Sequence, residues 1–203
     1  LIILMNKLVL TAPAKLNLNL HLLPPKNREG LYDVRFLNCQ LSLADKISLK
    51  KQPDKIEVSC RYGSYCRCEK NDFCRGVKNL IVKASEILKE KYGRPELGVA
   101  VSVEKHIPPS VGLAGGSADA AAVLGGLKKL WGLRVTEKQL LAVARKVGMD
   151  AQYCLMGGLC EVAGRKGEKV KPAFVPLSGT SAGKKGYLNF WVLVVVPEEE
   201  KPS

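Results

Sequence analysis

Apolar and polar residues alternate along the first third of the chain, as in strands that bury one face. Within residues 6–23 the apolar face carries Leu16, Leu18, Leu20 and Leu22, and the polar face carries Lys15, Asn17, Asn19 and His21. Similar runs over residues 32–43, continued by 46–50, and over 56–59 predict further strands. The chain therefore opens with strands rather than helices.

Helical spacing of apolar residues appears first over residues 79–92, which predict a helix that stops at Gly93. Residues 97–103 return to the alternation of a strand. Nearer the C-terminal end, residues 158–170 predict a hairpin with its bend at 164–167, and the continuous apolar run over 188–196 predicts a buried strand.

Three further helices are predicted after the strand over 97–103. An alanine-rich segment covers residues 117–130, and the next helix starts at Thr136, where Gln139 completes a capping box. The third is a short helix up to Met156, with Asp150 as its cap.

The segment over residues 107–122, IPPSVGLAGGSADAAA, joins a small-residue loop to an alanine-rich helix. Exposed amides at a helix N-terminus, with its partial positive dipole, form a ready anion site. The P-loop pattern is absent, since no lysine follows the last glycine. By itself the segment is either a turn before a buried helix or a phosphate site.

Composition limits the alternatives. The chain has 203 residues, 46% of them hydrophobic, and no apolar run of membrane-spanning length. We therefore expect a cytoplasmic protein with no membrane partner. The net charge of +13 favours acidic partners, but the basic residues are dispersed and no nucleic-acid module is present. A phosphorylated small molecule accounts for the charge, and no nucleic-acid partner is expected.

Seven cysteines are an odd count, which favours reduced thiols over a disulfide framework. Four of them follow a C-x5-C-x-C-x5-C spacing: Cys60, Cys66, Cys68 and Cys74. Structural zinc sites usually contain closer C-x2-4-C pairs. Unligated cysteines in a polar loop are therefore the favoured interpretation, with zinc as the alternative.

Three segments in order resemble the motifs of the GHMP kinase superfamily: PAKLNLNL from Pro13, PPSVGLAGGSAD from Pro108, and GMDAQYCLMG from Gly148. The resemblance implies an α+β fold, the GHMP-kinase N-terminal lobe, which is similar to domain 2 of ribosomal protein S5. Residues 1–203 would form this ATP-binding domain. We expect the C-terminal lobe of the family to be largely absent from this chain.

The resemblance implies an ATP- and Mg²⁺-dependent kinase. Its acceptor would be the 2-hydroxyl of a cytidine diphosphate-linked polyol, 4-diphosphocytidyl-2-C-methyl-D-erythritol, used in isoprenoid precursor synthesis. Two alternatives stay open. One is a GHMP kinase of the homoserine or mevalonate type, and the other is a non-catalytic nucleotide-binding remnant.

The resemblance also implies roles for single residues. Asp150 would be the general base or the orienting acceptor for the attacking hydroxyl, and Lys15 would keep Asp150 ionised and stabilise the transferring group. Taken alone, Asp150 is a helix cap and Lys15 a lysine on a solvated strand face. Asn17 and Tyr32 would bind the acceptor substrate, Tyr32 by stacking on the cytosine ring. Asp33 belongs to the same predicted substrate-binding set and stands where the family has a histidine.

A larger set would bind ATP, with Lys105 beside the adenine and the Ser117 hydroxyl near a phosphate or Mg²⁺. The set comprises Lys105, Pro108, Pro109, Ser110, Val111, Gly112, Leu113, Ala114, Gly115, Gly116, Ser117 and Ala118. Taken alone, Lys105 is an exposed lysine before a loop. Ser110, Val111 and Ala114 occupy positions that are often Gly or Ala in the family. Their Cβ atoms would either crowd the phosphates or require only negative φ angles.

Overall fold

The computed structural model describes residues 6–26, 30, 32–63, 72–164, 168–173 and 190–195, with side chains of the first helix from residue 80 onward. Six strands form a single sheet: β1 (Lys7–Leu23), β2 (Asp33–Pro53), β3 (Ile56–Tyr62), β4 (Leu97–Lys105), β5 (Cys160–Gly164) and β6 (Lys169–Pro172). The helices are α1 (Asp72–Tyr92), α2 (Gly115–Leu130), α3 (Glu137–Val147) and α4 (Ala151–Met156). The expected α+β fold is confirmed.

Strand β2 organises the sheet because it is long enough to pair with three other strands. One edge of β2 runs antiparallel to β1, from Asp33 opposite Leu23 to Lys50 opposite Lys7. The other edge pairs with β5 near the start of β2 and with β4 near its end, both antiparallel. Strand β3 then adds to β4 in the parallel direction. The predicted strands over 32–43 and 46–50 are thus one continuous strand.

The core lies between the sheet and the helices and consists mainly of aliphatic side chains. Strand β4 buries every second residue, namely Leu97, Val99, Val101, Val103 and Lys105. Helix α2 packs against β1, β2, α1 and α4. Its small residues allow a close approach, so that a Cβ added to Gly126 would overlap the methyl groups of Leu10 and Leu49. This central position of α2 fixes where its N-terminus points.

Two local predictions have different outcomes. The capping box at Thr136 is confirmed, since its hydroxyl accepts the N–H of Gln139 and the Gln139 side chain accepts the N–H of Thr136. The buried strand predicted over 188–196 is wrong for the described residues 190–195. They form no strand, and the Trp191 side chain is fully exposed. An apolar run forms a buried strand only where a sheet edge and a second layer cover it.

None of the helices in the described part of the chain has the length and apolar content needed to cross a membrane.

Candidate active site

The loop between β4 and α2 leaves the first amides of α2 without intrahelical partners. The N–H of Ala118 donates to the carbonyl of Ala114 at 2.9 Å, the first bond of the helical ladder. The amides of Gly115, Gly116 and Ser117 therefore lack a helical acceptor. No acidic residue occurs in this first turn, and Ala114 provides no side-chain cap. The helix start is thus open to an anion.

The backbone of the loop has positive φ angles at two positions that carry a Cβ. Ser110 and Ala114 adopt positive φ angles of 58° and 55°, as Gly112 does at 79°. The interpretation that the substituted positions require only negative φ is therefore wrong for Ser110 and Ala114. The αL region costs a residue with a Cβ roughly 1–2 kcal/mol. Val111 is not among the positive-φ residues.

Lys15 and Asp150 approach each other from β1 and from the start of α4. Lys15 is only 8% exposed, and its Nζ donates to Asn17 Oδ1 at 2.7 Å and lies 4.0 Å from Asp150 Oδ1. The backbone N–H of Lys15 also donates to the carbonyl of Leu113 at 3.1 Å, which joins β1 to the loop. The interpretation of Lys15 as a solvated lysine is therefore wrong.

The Asp150 carboxylate is not used as a cap. It precedes α4 without any side-chain cap hydrogen bond, and about one third of the side chain is exposed. The alternative reading of Asp150 as a simple helix cap therefore finds no support in the geometry. The carboxylate instead faces the ammonium group of Lys15.

A cleft of about 460 Å³ brings most of the predicted ATP-binding residues together with this pair. Besides Lys15 and Asp150, its lining includes Pro108 and every residue from Ser110 to Ser117. Pro109 is not part of the lining. Ala118 is buried and borders a second cavity of about 270 Å³ on another side of α2. The loop, the helix start and the Lys15–Asp150 pair thus share one surface.

Lys105 is not part of the lining of this cleft, and its burial corrects the interpretation of an exposed lysine before a loop. Its side chain has no exposed surface, and its Nζ donates to Asp119 Oδ2 at 2.6 Å and to Asp45 Oδ2. Burial alone would lower the pKa of Lys105, but the two carboxylates together raise it above its ordinary value. The ammonium group is therefore engaged by these two carboxylates beneath the loop.

Asp119 shows the opposite balance of the same effects. Burial raises the pKa of Asp119 and the attraction of Lys105 offsets this rise only in part, so that the pKa is about 7. Its second oxygen, Oδ1, has no hydrogen-bond partner among the described residues. The carboxyl group therefore takes up a proton much more readily than an exposed aspartate does.

The predicted substrate residues are not all brought together. Asn17 contacts Lys15, whereas Asp33 pairs with Leu23 at the far end of the β1–β2 hairpin. That position is eight residues along β1 from Lys15, or about 26 Å of strand. Tyr32 precedes Asp33, and its ring lies 5.2 Å from Lys26 Nζ. The structure therefore separates Tyr32 and Asp33 from the Lys15–Asp150 pair.

The zinc alternative concerns residues that are mostly outside the described part of the chain. Cys66, Cys68 and the side chain of Cys74 lie outside it, whereas Cys60 lies on β3. Among the described residues no group of three or more His, Cys, Asp or Glu side chains could hold a metal ion. A zinc site at these four cysteines stays a prediction.

Sequence reasoning assigned no role to Asp45 or Asp119, yet the sequence carries a signal for the burial of Asp45. Alternation along β2 puts Asp45 on the face of Ile47 and Leu49, and all three are buried. A charged residue on an otherwise apolar face requires a buried partner of opposite charge. Asp119 likewise lies in the first turns of an alanine-rich helix with apolar neighbours.

Taken together, the geometry combines an anion-binding helix start with a carboxylate and an ammonium group at one cleft. Such a cleft can hold a polyphosphate through backbone amides, accept a proton at Asp150 and stabilise negative charge at Lys15.

Comparisons with known proteins agree with this geometry. Residues 79–158 match the GHMP kinases N terminal domain. The chain is 39% identical over 173 residues to 4-diphosphocytidyl-2-C-methyl-D-erythritol kinases of Bacillus cytotoxicus and Bacillus cereus, which covers 85% of this chain and 56% of each relative. It therefore spans little more than half the length of these curated relatives.

Solved structures give the same result. A crystal structure of 4-(cytidine 5'-diphospho)-2C-methyl-D-erythritol kinase matches 83% of this chain and 56% of its own, with a TM-score of 0.63 and 34% identity. A homoserine kinase from Cytophaga hutchinsonii matches 85% of this chain and 53% of its own, with a TM-score of 0.56 and 19% identity. The second likeness shows a shared fold alone.

Proposed function

We propose that this chain provides the phosphate-binding part of an ATP-dependent kinase for a small-molecule alcohol, since its residues 79–158 match the N-terminal domain of the GHMP kinases. The observation that carries the proposal is the meeting of Lys15, Asp150 and the open amides of Gly115 to Ser117 at one cleft. The identity to relatives named as kinases supports the reaction class.

The polyphosphate of ATP would lie on the start of α2. The unpaired amides of Gly115, Gly116 and Ser117 donate to phosphate oxygens, and the dipole of a 16-residue helix favours the negative charge. The loop itself contains no lysine, and Lys105 at the end of β4 is buried beneath it. Backbone groups therefore do most of the holding, in contrast to a P-loop.

Phosphoryl transfer needs a proton acceptor and a positive charge near the transferred group. The acceptor hydroxyl attacks the γ-phosphorus, its proton passes to Asp150, and the bond between the γ-phosphorus and the bridging oxygen of ADP breaks. Lys15 stabilises the charge on the transferring oxygens. The contact between Lys15 Nζ and Asn17 Oδ1 at 2.7 Å holds the ammonium group in place.

Mg²⁺ fits the same cleft, because a hard cation prefers hydroxyl and carboxylate oxygens. The Ser117 hydroxyl is the lining group that would hold it, together with phosphate oxygens of the nucleotide, and the cation would neutralise phosphate charge.

For the acceptor we propose 4-diphosphocytidyl-2-C-methyl-D-erythritol, phosphorylated at its 2-hydroxyl. The support is the substrate for which the relatives that are 39% identical are named, and the contact of Asn17 with Lys15. Tyr32 and Asp33 lie too far along the hairpin to support this choice in the described geometry. The proposal for the acceptor therefore depends on the relatives rather than on these two residues.

The catalytic proposal is tested by substituting Asp150→Asn in the full-length protein. We expect kcat to fall by about 10²- to 10⁴-fold, since a general base is removed, while ATP affinity measured by calorimetry is retained. Glu137→Gln is the matched control, because Glu137 is an exposed acid on α3 away from the cleft. Full turnover by Asp150→Asn would show that Asp150 is not the proton acceptor.

The acceptor is tested with a panel of alcohols and γ-labelled ATP. We expect label transfer to 4-diphosphocytidyl-2-C-methyl-D-erythritol and inhibition of this transfer by CMP. Transfer to homoserine or mevalonate instead, without inhibition by CMP, would assign the protein to another substrate within the superfamily. ATP binding without transfer to any alcohol would favour a non-catalytic nucleotide-binding role.

A further inference from the structure

Three charged side chains beneath the loop have no exposed surface: Asp45 on β2, Lys105 at the end of β4 and Asp119 on α2. Lys105 Nζ donates to Asp119 Oδ2 at 2.6 Å and to Asp45 Oδ2. Burial of three charges is costly unless each is paired and hydrogen-bonded. The ion pairs therefore need a reason beyond stability, since apolar residues would fill the same space at lower cost.

Asp45 holds the beginning of the loop through its other oxygen. Asp45 Oδ1 accepts the backbone N–H of His106 at 2.5 Å and that of Ile107 at 2.8 Å. These two amides lie immediately after β4 ends at Lys105. The carboxylate thus replaces the sheet as their acceptor and fixes the direction in which the chain leaves the sheet.

Asp119 holds the other end of the loop. Asp119 belongs to the first turns of α2. It accepts a hydrogen bond from the ammonium group of Lys105, which lies just under the start of this helix. A Cβ added to Gly115 would lie 3.2 Å from Lys105 Nζ. One ammonium group therefore connects the residue before the loop, the strand β2 and the helix after the loop.

We propose that Asp45, Lys105 and Asp119 are positioning residues that hold the loop and the start of α2 in the form that binds the polyphosphate of a nucleoside triphosphate. The inference rests on the proposed function and deepens it. Lys105 would then contribute to the binding of the phosphates, by holding the loop, rather than to the binding of the adenine. The lysine also offsets two carboxylates that would otherwise oppose an anion bound above them.

The two aspartates are not used in the same way, which makes the inference testable. Asp45 uses both oxygens, whereas Asp119 uses Oδ2 alone. An asparagine at position 119 can present its carbonyl oxygen to Lys105 and keep the link to α2. An alanine at this position cannot, and it leaves a neutral Asp45–Lys105 pair that is compatible with folding.

The experiment measures dissociation constants by calorimetry for three probes: ATP, inorganic triphosphate and adenosine. For Asp119→Ala we expect the constants of ATP and triphosphate to rise about tenfold, and that of adenosine to stay at the wild-type value. For Asp119→Asn we expect all three constants to stay near wild type. Circular dichroism at the titration temperature verifies that each variant is folded.

Several outcomes would overturn the inference. Folded Asp119→Ala with wild-type affinity for triphosphate would show that the cluster serves stability alone. Equal losses of triphosphate affinity in the Ala and Asn variants would contradict the argument from the Lys105–Asp119 hydrogen bond. A loss of affinity confined to adenosine would show that Lys105 acts on the nucleoside.

Two further arms keep the test decisive. Should Asp119→Ala be unfolded, Asp45→Asn is expected to show the same loss of affinity for the two phosphate probes. If the carbonyl of the asparagine keeps the hydrogen bonds from the two backbone amides, its NH₂ group faces Lys105, and both groups are donors. Wild-type affinity for triphosphate in folded Asp45→Asn would overturn the inference. Failure of the wild type to bind ATP would overturn the proposed function itself. ATP binding without phosphotransfer would leave only the catalytic assignment wrong.

Discussion

Ala114 provides a direct test of how the loop is built, because it is an alanine in the left-handed region at the N-cap of α2. Its φ and ψ angles are 55° and 32°, and it makes no side-chain cap bond. Ala114→Gly removes only a methyl group. The substitution therefore isolates the cost of this backbone conformation from other contacts.

The magnitude follows from two opposing terms. The αL conformation costs a residue with a Cβ about 1–2 kcal/mol, which glycine does not incur. Glycine gains freedom in the unfolded chain, which costs about 0.4–1 kcal/mol of stability. The free energy of unfolding should therefore increase by roughly 0.5–1 kcal/mol, and for a chain of this size Tm should rise by about 1–4 °C.

The assay is urea unfolding followed by circular dichroism, with the midpoint compared at a constant m value. Val111→Gly is the matched control in the same loop. Val111 is not among the positive-φ residues and packs beside Ala14, Ile107 and Leu113, so glycine should lower stability there. If Ala114→Gly lowers stability as Val111→Gly does, the assignment of backbone strain at Ala114 is refuted.

Two further predictions concern α2. Gly126→Ala should destabilise the fold by about 1–2 kcal/mol, because its Cβ would lie 2.6 Å from a methyl of Leu10. Gly125→Ala should stabilise the fold by roughly 0.5–1 kcal/mol, since the atom nearest to its Cβ would lie 3.9 Å away. As the pH rises from 5 to 7, the free energy of unfolding of the wild type should fall relative to that of Asp119→Asn, by up to about 1.4 kcal/mol per pH unit. The folded state keeps a proton on Asp119, whose pKa is about 7, that the unfolded chain releases near the ordinary pKa of 3.8.

Each of these predictions has its own control. For the glycine pair, urea unfolding of both variants is compared directly, and equal changes of the same sign would contradict the packing of α2 against β1. For Asp119, the unfolding free energies of wild type and Asp119→Asn are measured across the pH range. Parallel curves would show that Asp119 keeps an ordinary pKa.

Lys105 was expected to be exposed or to lie beside the adenine, although the sequence carries a signal for its burial and none for its partners. Alternation along β4 puts Lys105 on the face of Val99, Val101 and Val103, which indicates an inward direction. The family likeness instead suggested a lysine beside the adenine. Only the pairing of β2 with β4 and the packing of α2 bring Asp45 and Asp119 to its ammonium group. Side-chain direction is a local property, but the partner depends on strand register.

The run over residues 190–195 shows the reverse case. Its apolar composition predicts burial, yet Trp191 and Leu193 are exposed in the described chain. Hydrophobicity creates a tendency to be covered, and a neighbouring surface decides whether this occurs.

By itself the sequence determined the elements that depend on neighbouring residues. These are most of the strands and helices, the capping box at Thr136, the open start of α2 and the motifs of the GHMP kinases. The tertiary structure decided which distant groups meet. It brings Lys15 to 4.0 Å from Asp150 and buries Lys105 between two carboxylates, while Tyr32 stays at the far end of the hairpin. Periodicity and capping act within a few residues, whereas register and packing act between segments that are far apart in the chain.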